Sequence, residues 1–331
     1  MADTLRAAAP ADARVSDSYR WTQLAIGVAA MVMIANYQYG WTFFVPDIQK
    51  KFGWDRASIQ WAFTLFVLFE TWLVPVEGWF VDKYGPRLVV LFGGIFCGAG
   101  WAINAYATTL SGYYFGMIMA GIGAGAVYGT CVGNALKWFP DKRGLAAGIT
   151  AAGFGAGSAL TVAPIQAMIK DSGFQATFLY FGLGQGIIVI ILAFLLAAPR
   201  AGQAPGVVQN ASIFQSRRNY GPAEVIREPI FWLMYLMFVL VGAGGLMITA
   251  NLKPIAADWK IDSVPVTLMA MTMTTVTFAA TIDRVLNGLT RPFFGWVSDM
   301  IGRENTMFIA FGFEAAGIGL SANSAATPFC S

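Results

Sequence analysis

Nine apolar stretches of about 18 residues or more, nearly free of charge and joined by mostly short polar loops, constrain this chain more than any other feature. A backbone inside hydrocarbon must satisfy its own N–H and C=O groups, which leaves only helices or a closed barrel. Runs of this length exceed what a barrel strand needs, so the sequence predicts an all-α polytopic membrane protein. The predicted spans are 21–45, 59–80, 88–107, 112–136, 144–169, 177–198, 230–252, 266–294 and 306–324. Composition agrees: 12% of residues are charged, where a soluble domain carries about 25%. Residues 1–20 are Ala-rich and polar, with no apolar core before Trp21, so they read as a tail and not as a cleavable signal. The one long connection, 199–229, separates a six-helix half (21–198) from a three-helix segment (230–331).

Charge sets the expected orientation. With the N-terminus inside, 13 of the 21 Lys and Arg fall in cytoplasmic segments and 6 in outer loops, which predicts a cytoplasmic N-terminus and central loop. The same distribution argues against a nucleic-acid partner, because the net charge of +3 is spread over short loops and forms no patch. Cys97, Cys131 and Cys330 give no disulfide framework and read as small packing residues. The absence of histidine removes the commonest metal ligand. No metal or cofactor is expected, and no nucleophile–base set is visible, so the chain is not read as an enzyme.

The remaining two basic residues, Arg284 and Arg291, lie inside the eighth span. An ionisable residue in a spanning helix is costly and marks a functional site by default. Seven apart, they share a helix face, and Gly288 between them is expected to leave open space. Arg291 sits eight residues in from Asp299, about 12 Å of helix, which is too deep for easy escape to water. It is therefore expected to face a polar cavity, where its forked donors suit a carboxylate; a gating salt bridge is the alternative. Arg284 follows Asp283 and reads as pairing with Asp283, Glu70 or Glu77. Glu70 and Glu77 are also seven apart on one face; a buried acid there pairs with arginine or carries a proton. The fifth span holds Gly148, Gly153, Gly155 and Gly157, a series expected to serve close helix packing.

An internal repeat crosses the central loop. GWFVDKYGPR (78–87) joins spans 2 and 3, and GWVSDMIGRE (295–304) joins spans 8 and 9. In each, glycines are expected to allow close helix approach, Asp82 or Asp299 to cap a helix start, and Arg87 or Arg303 to anchor at the interface. The candidate gating motif thus comprises Gly78, Asp82, Gly85 and Arg87 with Gly295, Asp299, Gly302 and Arg303, and its duplication implies two homologous halves.

These paired loops and the six-helix half resemble the major facilitator superfamily. The strings YQYGWTFFVPDI, IQWAFTLF, GAVYGTCVGNALKWFPDKRGLAAGITAAGFG and NGLTRPFFGWVSDMIGR are similar to its oxalate:formate antiporter family, over residues 19–316. The resemblance implies that Arg291 is a substrate-carboxylate ligand and that Gln38, Tyr39, Gln60 and Tyr128 line the cavity of the N-terminal half. The family's uncharged polar residue is replaced here by Arg284. The resemblance also implies twelve spans, so the nine found here are expected to belong to a truncated product or an incomplete gene model. The expectation is an alternating-access exchanger of small carboxylates, oxalate for formate, acting as a monomer in a bacterial inner membrane. A proton-coupled monocarboxylate symporter using Glu70 and a non-functional truncated membrane fragment are the alternatives.

Overall fold

The computed structural model describes residues 15–205, 220–258, 260–261, 264–268 and 271–326. It divides into two compact units, Met1–Val208 with Asn287–Trp296, and Gln209–Leu286 with Val297–Ser331.

The first unit is a helix bundle. Its first span is two helices, α1 (Asp17–Tyr39) and α2 (Trp41–Phe52), meeting at Gly40. The helical path therefore begins before the predicted 21 and runs past the predicted 45. Ser16 caps α1, and left-handed Gly53 ends α2 at φ 69°. Asp55 caps α3 (Arg56–Trp72), which bends by 46° into α4 (Val74–Tyr84) at Leu73. Pro75 fits this break because it sits in the first turn of α4, where its missing N–H would be unpaired anyway. Then follow α5 (Pro86–Tyr106), α6 (Leu110–Trp138), α7 (Arg143–Ser172) and α8 (Phe174–Leu195).

By length and apolarity α5, α6 and α8 can each cross a membrane, and the bent α3–α4 pair makes a fourth such span among the described residues. Lipid is as apolar as leucine, so these helices associate through close van der Waals packing of small residues. A Cβ on Gly123 would lie 2.6 Å from the Gly93 carbonyl, and one on Gly186 would lie 2.8 Å from that of Gly94. Such backbone approach holds α6 and α8 on either side of α5. Between them Phe44 stacks on Phe178 at 4.0 Å beside buried Trp101, and the Tyr37 hydroxyl donates to the Gly182 carbonyl at 3.1 Å.

One end of the bundle is tied by polar side chains. Asn134 and Trp138 Nε1 both donate to the Ala197 carbonyl, at 3.1 and 2.8 Å, while Gln23 accepts from the Ala197 amide at 2.8 Å. Buried Arg20 binds Asp17 at 2.9 Å and Asp141 at 2.5 Å, donates to the Trp138 carbonyl at 3.0 Å, and lies 4.4 Å over the Phe139 ring. The bonds to Asp141 and Trp138 join α1 to the end of α6 and the turn after it. From the sequence alone, Arg20 reads only as a tail charge.

In the second unit, α9 (Pro222–Val225) precedes α10 (Pro229–Asp258). The described residues of the predicted eighth span before residue 275 are not helical. Strands β1 (Pro265–Leu268) and β2 (Met271–Thr274) pair antiparallel instead, Pro265 opposite Thr274 and Leu268 opposite Met271. The alternation of Val, Thr and Met favours a pleated strand, and Pro265 biases its predecessor away from helix. Helix α11 (Thr275–Ile301) follows, its segment Asn287–Trp296 belonging to the first unit, and α12 (Arg303–Ala326) closes the described chain.

Candidate functional site

The α7 sequence GITAAGFGAGS carries one large side chain, Phe154, between Ile149 and Leu160. Glycines around it let other helices reach the α7 backbone. Gly153 and Gly157 face α1, where a Cβ would lie 2.9 Å from the Val28 carbonyl and 2.8 Å from Val32 Cα. Gly148 and Gly155 face the Asn287–Trp296 segment: a Cβ on Gly148 would lie 2.8 Å from Pro292 Cα, and one on Gly155 would lie 3.0 Å from Asn287 Oδ1. Packing is thus what the α7 glycines do, as expected.

On this framework Phe154 gathers two predicted residues. Tyr39 of α1 packs against its ring at 5.4 Å, and Tyr128 of α6 meets it edge-on at 5.3 Å. One helical turn earlier on α7, the Ala151 carbonyl accepts a long bond of 3.4 Å from Arg291. The same guanidinium donates to Asn287 Oδ1, four residues back on α11, at 3.0 Å. Both partners are neutral, and among the described residues no carboxylate lies within 4 Å of Arg291. A guanidinium has five N–H donors, so two such bonds leave donors for an anion. An aromatic cluster one helical turn along α7 from the bond of a half-buried cation offers groups that suit a small flat carboxylate.

Gly288 corrects the open-space expectation. It is buried against α7, and a Cβ there would lie 3.1 Å from Ala156 Cβ. Gly295 likewise meets the backbone of Gly144 and Leu145. Gly288, expected to leave open space, instead lets the Asn287–Trp296 segment dock, as Gly295 does, and this brings Arg291 to α7.

Gln60 stands apart from this cluster. It accepts from the indole N–H of fully buried Trp41 at 3.2 Å, near the start of α3. Gly125 of α6 packs against Glu70, and Tyr128 lies beyond Gly125 on α6. Gln60 is ten residues before Glu70, so it lies about 15 Å along the helix from that level. Gln38 is half-buried on α1 beside Tyr39.

Glu70 and Glu77 are both buried and both meet Gly125, so the bend between α3 and α4 keeps them on one side. Glu70 Oε1 and both Glu77 oxygens have no hydrogen-bond partner among the described residues. Asp283 is exposed on α11, and the Arg284 side chain, whose pairing was expected, lies outside the described residues.

The repeated loops share their backbone turn. Gly85 (φ 82°) links α4 to α5, and Gly302 (φ 89°) links α11 to α12; this left-handed region favours glycine. Here the capping expectation fails. Asp82 and Asp299 lie inside the helices that end at these turns, so neither starts the next helix. Asp82 instead pairs with Lys137 of α6 at 2.9 Å. Gly78 faces open space, with nothing within 4 Å of where a Cβ would sit, so it does not serve close approach. Arg87 reaches the Leu196 carbonyl at 3.4 Å, and Arg303 opens α12.

Sequence reasoning names neither Phe154 nor Asn287 as a site residue. A lone aromatic in a glycine-rich helix, and an amide one turn before a buried arginine, are the signals that could have found them.

The profile of the Major Facilitator Superfamily matches residues 26–320. The chain is 36% identical over 301 residues to the oxalate:formate antiporter of Oxalobacter formigenes, covering 91% of this chain and 68% of that protein. It is 24% identical over 291 residues to the uncharacterized MFS-type transporter YhjX of Escherichia coli (strain K12), covering 88% and 69%. To monocarboxylate transporter 11 of Homo sapiens it is 25% identical over 220 residues, covering 64% and 44%.

Proposed function

Since the chain belongs to the oxalate:formate antiporter family of the Major Facilitator Superfamily, we propose that it exchanges small carboxylate anions, oxalate for formate, by alternating access. The observation that supports this most is Arg291: a half-buried cation bonded to the Ala151 carbonyl, one turn along α7 from the Phe154 ring that Tyr39 and Tyr128 meet. Among the described residues, its hydrogen-bond acceptors are that backbone carbonyl and a side-chain amide. A carboxylate replaces those weak neutral acceptors with charge-assisted, forked bonds. Exchange then requires only that the loaded carrier reorient more readily than the empty one. An unpaired cation in a closing site resists that closure.

In this proposal the protein works as a monomer in a bacterial inner membrane, with the tail 1–20 and the central loop 199–229 in the cytoplasm. Residues 21–198 form one half of the carrier, and 230–331 belong to the other. The test is exchange in reconstituted vesicles loaded with oxalate. Arg291→Gln should abolish anion-dependent exchange while insertion into the vesicle is unchanged; exchange at the unsubstituted rate would refute the assignment.

A second reading, proton-coupled monocarboxylate symport, draws on buried Glu70 and Glu77: Glu70 Oε1 and both Glu77 carboxylate oxygens have no hydrogen-bond partner among the described residues. It requires uptake that follows a pH gradient without counter-substrate and that fails in Glu70→Gln. Uptake indifferent to the gradient excludes it.

A further inference from the structure

The bond from Arg291 to Asn287 sets up a positioning device, and its role rests on the reading of Arg291 as the anion ligand. A guanidinium on a flexible stem samples many rotamers, and an anion site works best when its donor is already aimed. Here Asn287 Oδ1, one helical turn before Arg291, accepts from the guanidinium at 3.0 Å. A neutral acceptor can aim the cation without cancelling its charge; a carboxylate in the same place would compete with the substrate. Gly155 of α7 faces the same amide. A Cβ there would lie 3.0 Å from Asn287 Oδ1 and 3.5 Å from Arg291 Nε, so glycine keeps the space in which the pair is arranged.

We propose that Asn287 is a positioning residue that aims the Arg291 guanidinium and, by being neutral, sets the preference of the site for doubly over singly charged carboxylates, with Gly155 maintaining the room this requires.

The test is oxalate and formate binding to the purified full chain, measured by calorimetry for the unsubstituted protein, Asn287→Asp, Asn287→Ala, Gly155→Ala and the Gly155→Ala/Asn287→Ala double variant. Asn287→Asp is close to isosteric, so a packing role predicts unchanged binding. The positioning role predicts that oxalate binding weakens by about tenfold or more as the new carboxylate clamps Arg291. The loss for oxalate should exceed that for formate, because a dianion suffers more from the lost site charge. Gly155→Ala should weaken oxalate binding alone but add nothing in the Asn287→Ala background, since the crowded amide is then gone.

Equal affinity in Asn287→Asp, equal losses for the two anions, or additive effects of Gly155→Ala and Asn287→Ala would overturn the proposal. Arg291→Gln separates the two levels. If it still binds oxalate normally, the anion site itself is misplaced and this inference falls with it. If Arg291→Gln fails while Asn287→Asp binds normally, only the positioning role is refuted.

Discussion

Replacing Gly148 by alanine tests the structural reasoning most directly, because the collision it creates is with backbone. The new Cβ would lie 2.8 Å from both the Arg291 carbonyl carbon and Pro292 Cα, and closer still to the Arg291 carbonyl oxygen. Carbon pairs prefer about 3.5–4.0 Å, so α7 and α11 must separate locally by about 0.7 Å or more. Neither atom can rotate away, and Pro292 stiffens the chain beside them. Overpacking of this kind costs about 1–3 kcal/mol. The same shift lengthens the Arg291 bond to Ala151, already 3.4 Å, beyond useful range. The expected result is a lower unfolding temperature in detergent together with weaker oxalate binding. Gly78→Ala is the matched control: it faces open space inside α4, and exchanging a helical glycine for alanine should stabilise by about 0.5–1 kcal/mol. If Gly148→Ala is as stable and binds as tightly as the unsubstituted protein, the close α7–α11 crossing is wrong, and so is the placement of Arg291.

Two further outcomes follow from local geometry. Gly85→Ala and Gly302→Ala should each destabilise by about 1–2 kcal/mol, because both turns hold φ in the left-handed region; thermal unfolding of single variants checks this, and no loss would contradict the turn geometry. At exposed Asp55, the Ser58 hydroxyl and amide donate to the carboxylate and hold its pKa below the ordinary value. A depressed folded-state pKa means that the cap's contribution is complete above the unfolded value of about 4 and is lost as pH falls through the lower folded value. Hydrogen exchange of the first turn of α3 should therefore accelerate, relative to its intrinsic rate, only on acidification below that range. Asp55→Asn should remove the pH dependence.

The spanning pattern was legible because lipid demands it: a stretch such as 174–195, mostly apolar and without a charged residue, has few alternatives to a helix. Arg291 was legible for the same reason, as a cost that had to be offset. Less legible were features decided by a partner helix. Gly288 between two arginines reads as empty space when α11 is considered alone, and as a contact once Ala156 is opposite it. Gln60 looks like a cavity residue until the buried Trp41 indole claims its oxygen. The strand pair at 265–274 was hidden by hydropathy, which scores Val, Thr and Met without asking whether they alternate.

Phe154 shows why the site could be only half read. A lone aromatic within a glycine series marks itself out, but the sequence does not say which helices the glycines around it admit. Gly153 and Gly157 admit α1, and Gly148 and Gly155 admit the Asn287–Trp296 segment. Spacings of four and of seven keep each pair on one face, and the two-residue offset between Gly153 and Gly155, about 200° of helix, puts the two partners on different faces of α7. Tyr39 arrives on one approach, Arg291 and Asn287 on the other, and Tyr128 comes from α6. On the proposed reading of Arg291, packing and recognition are therefore encoded by the same residues: a methyl group that spoils the helix approach also moves the cation from the anion proposed for it.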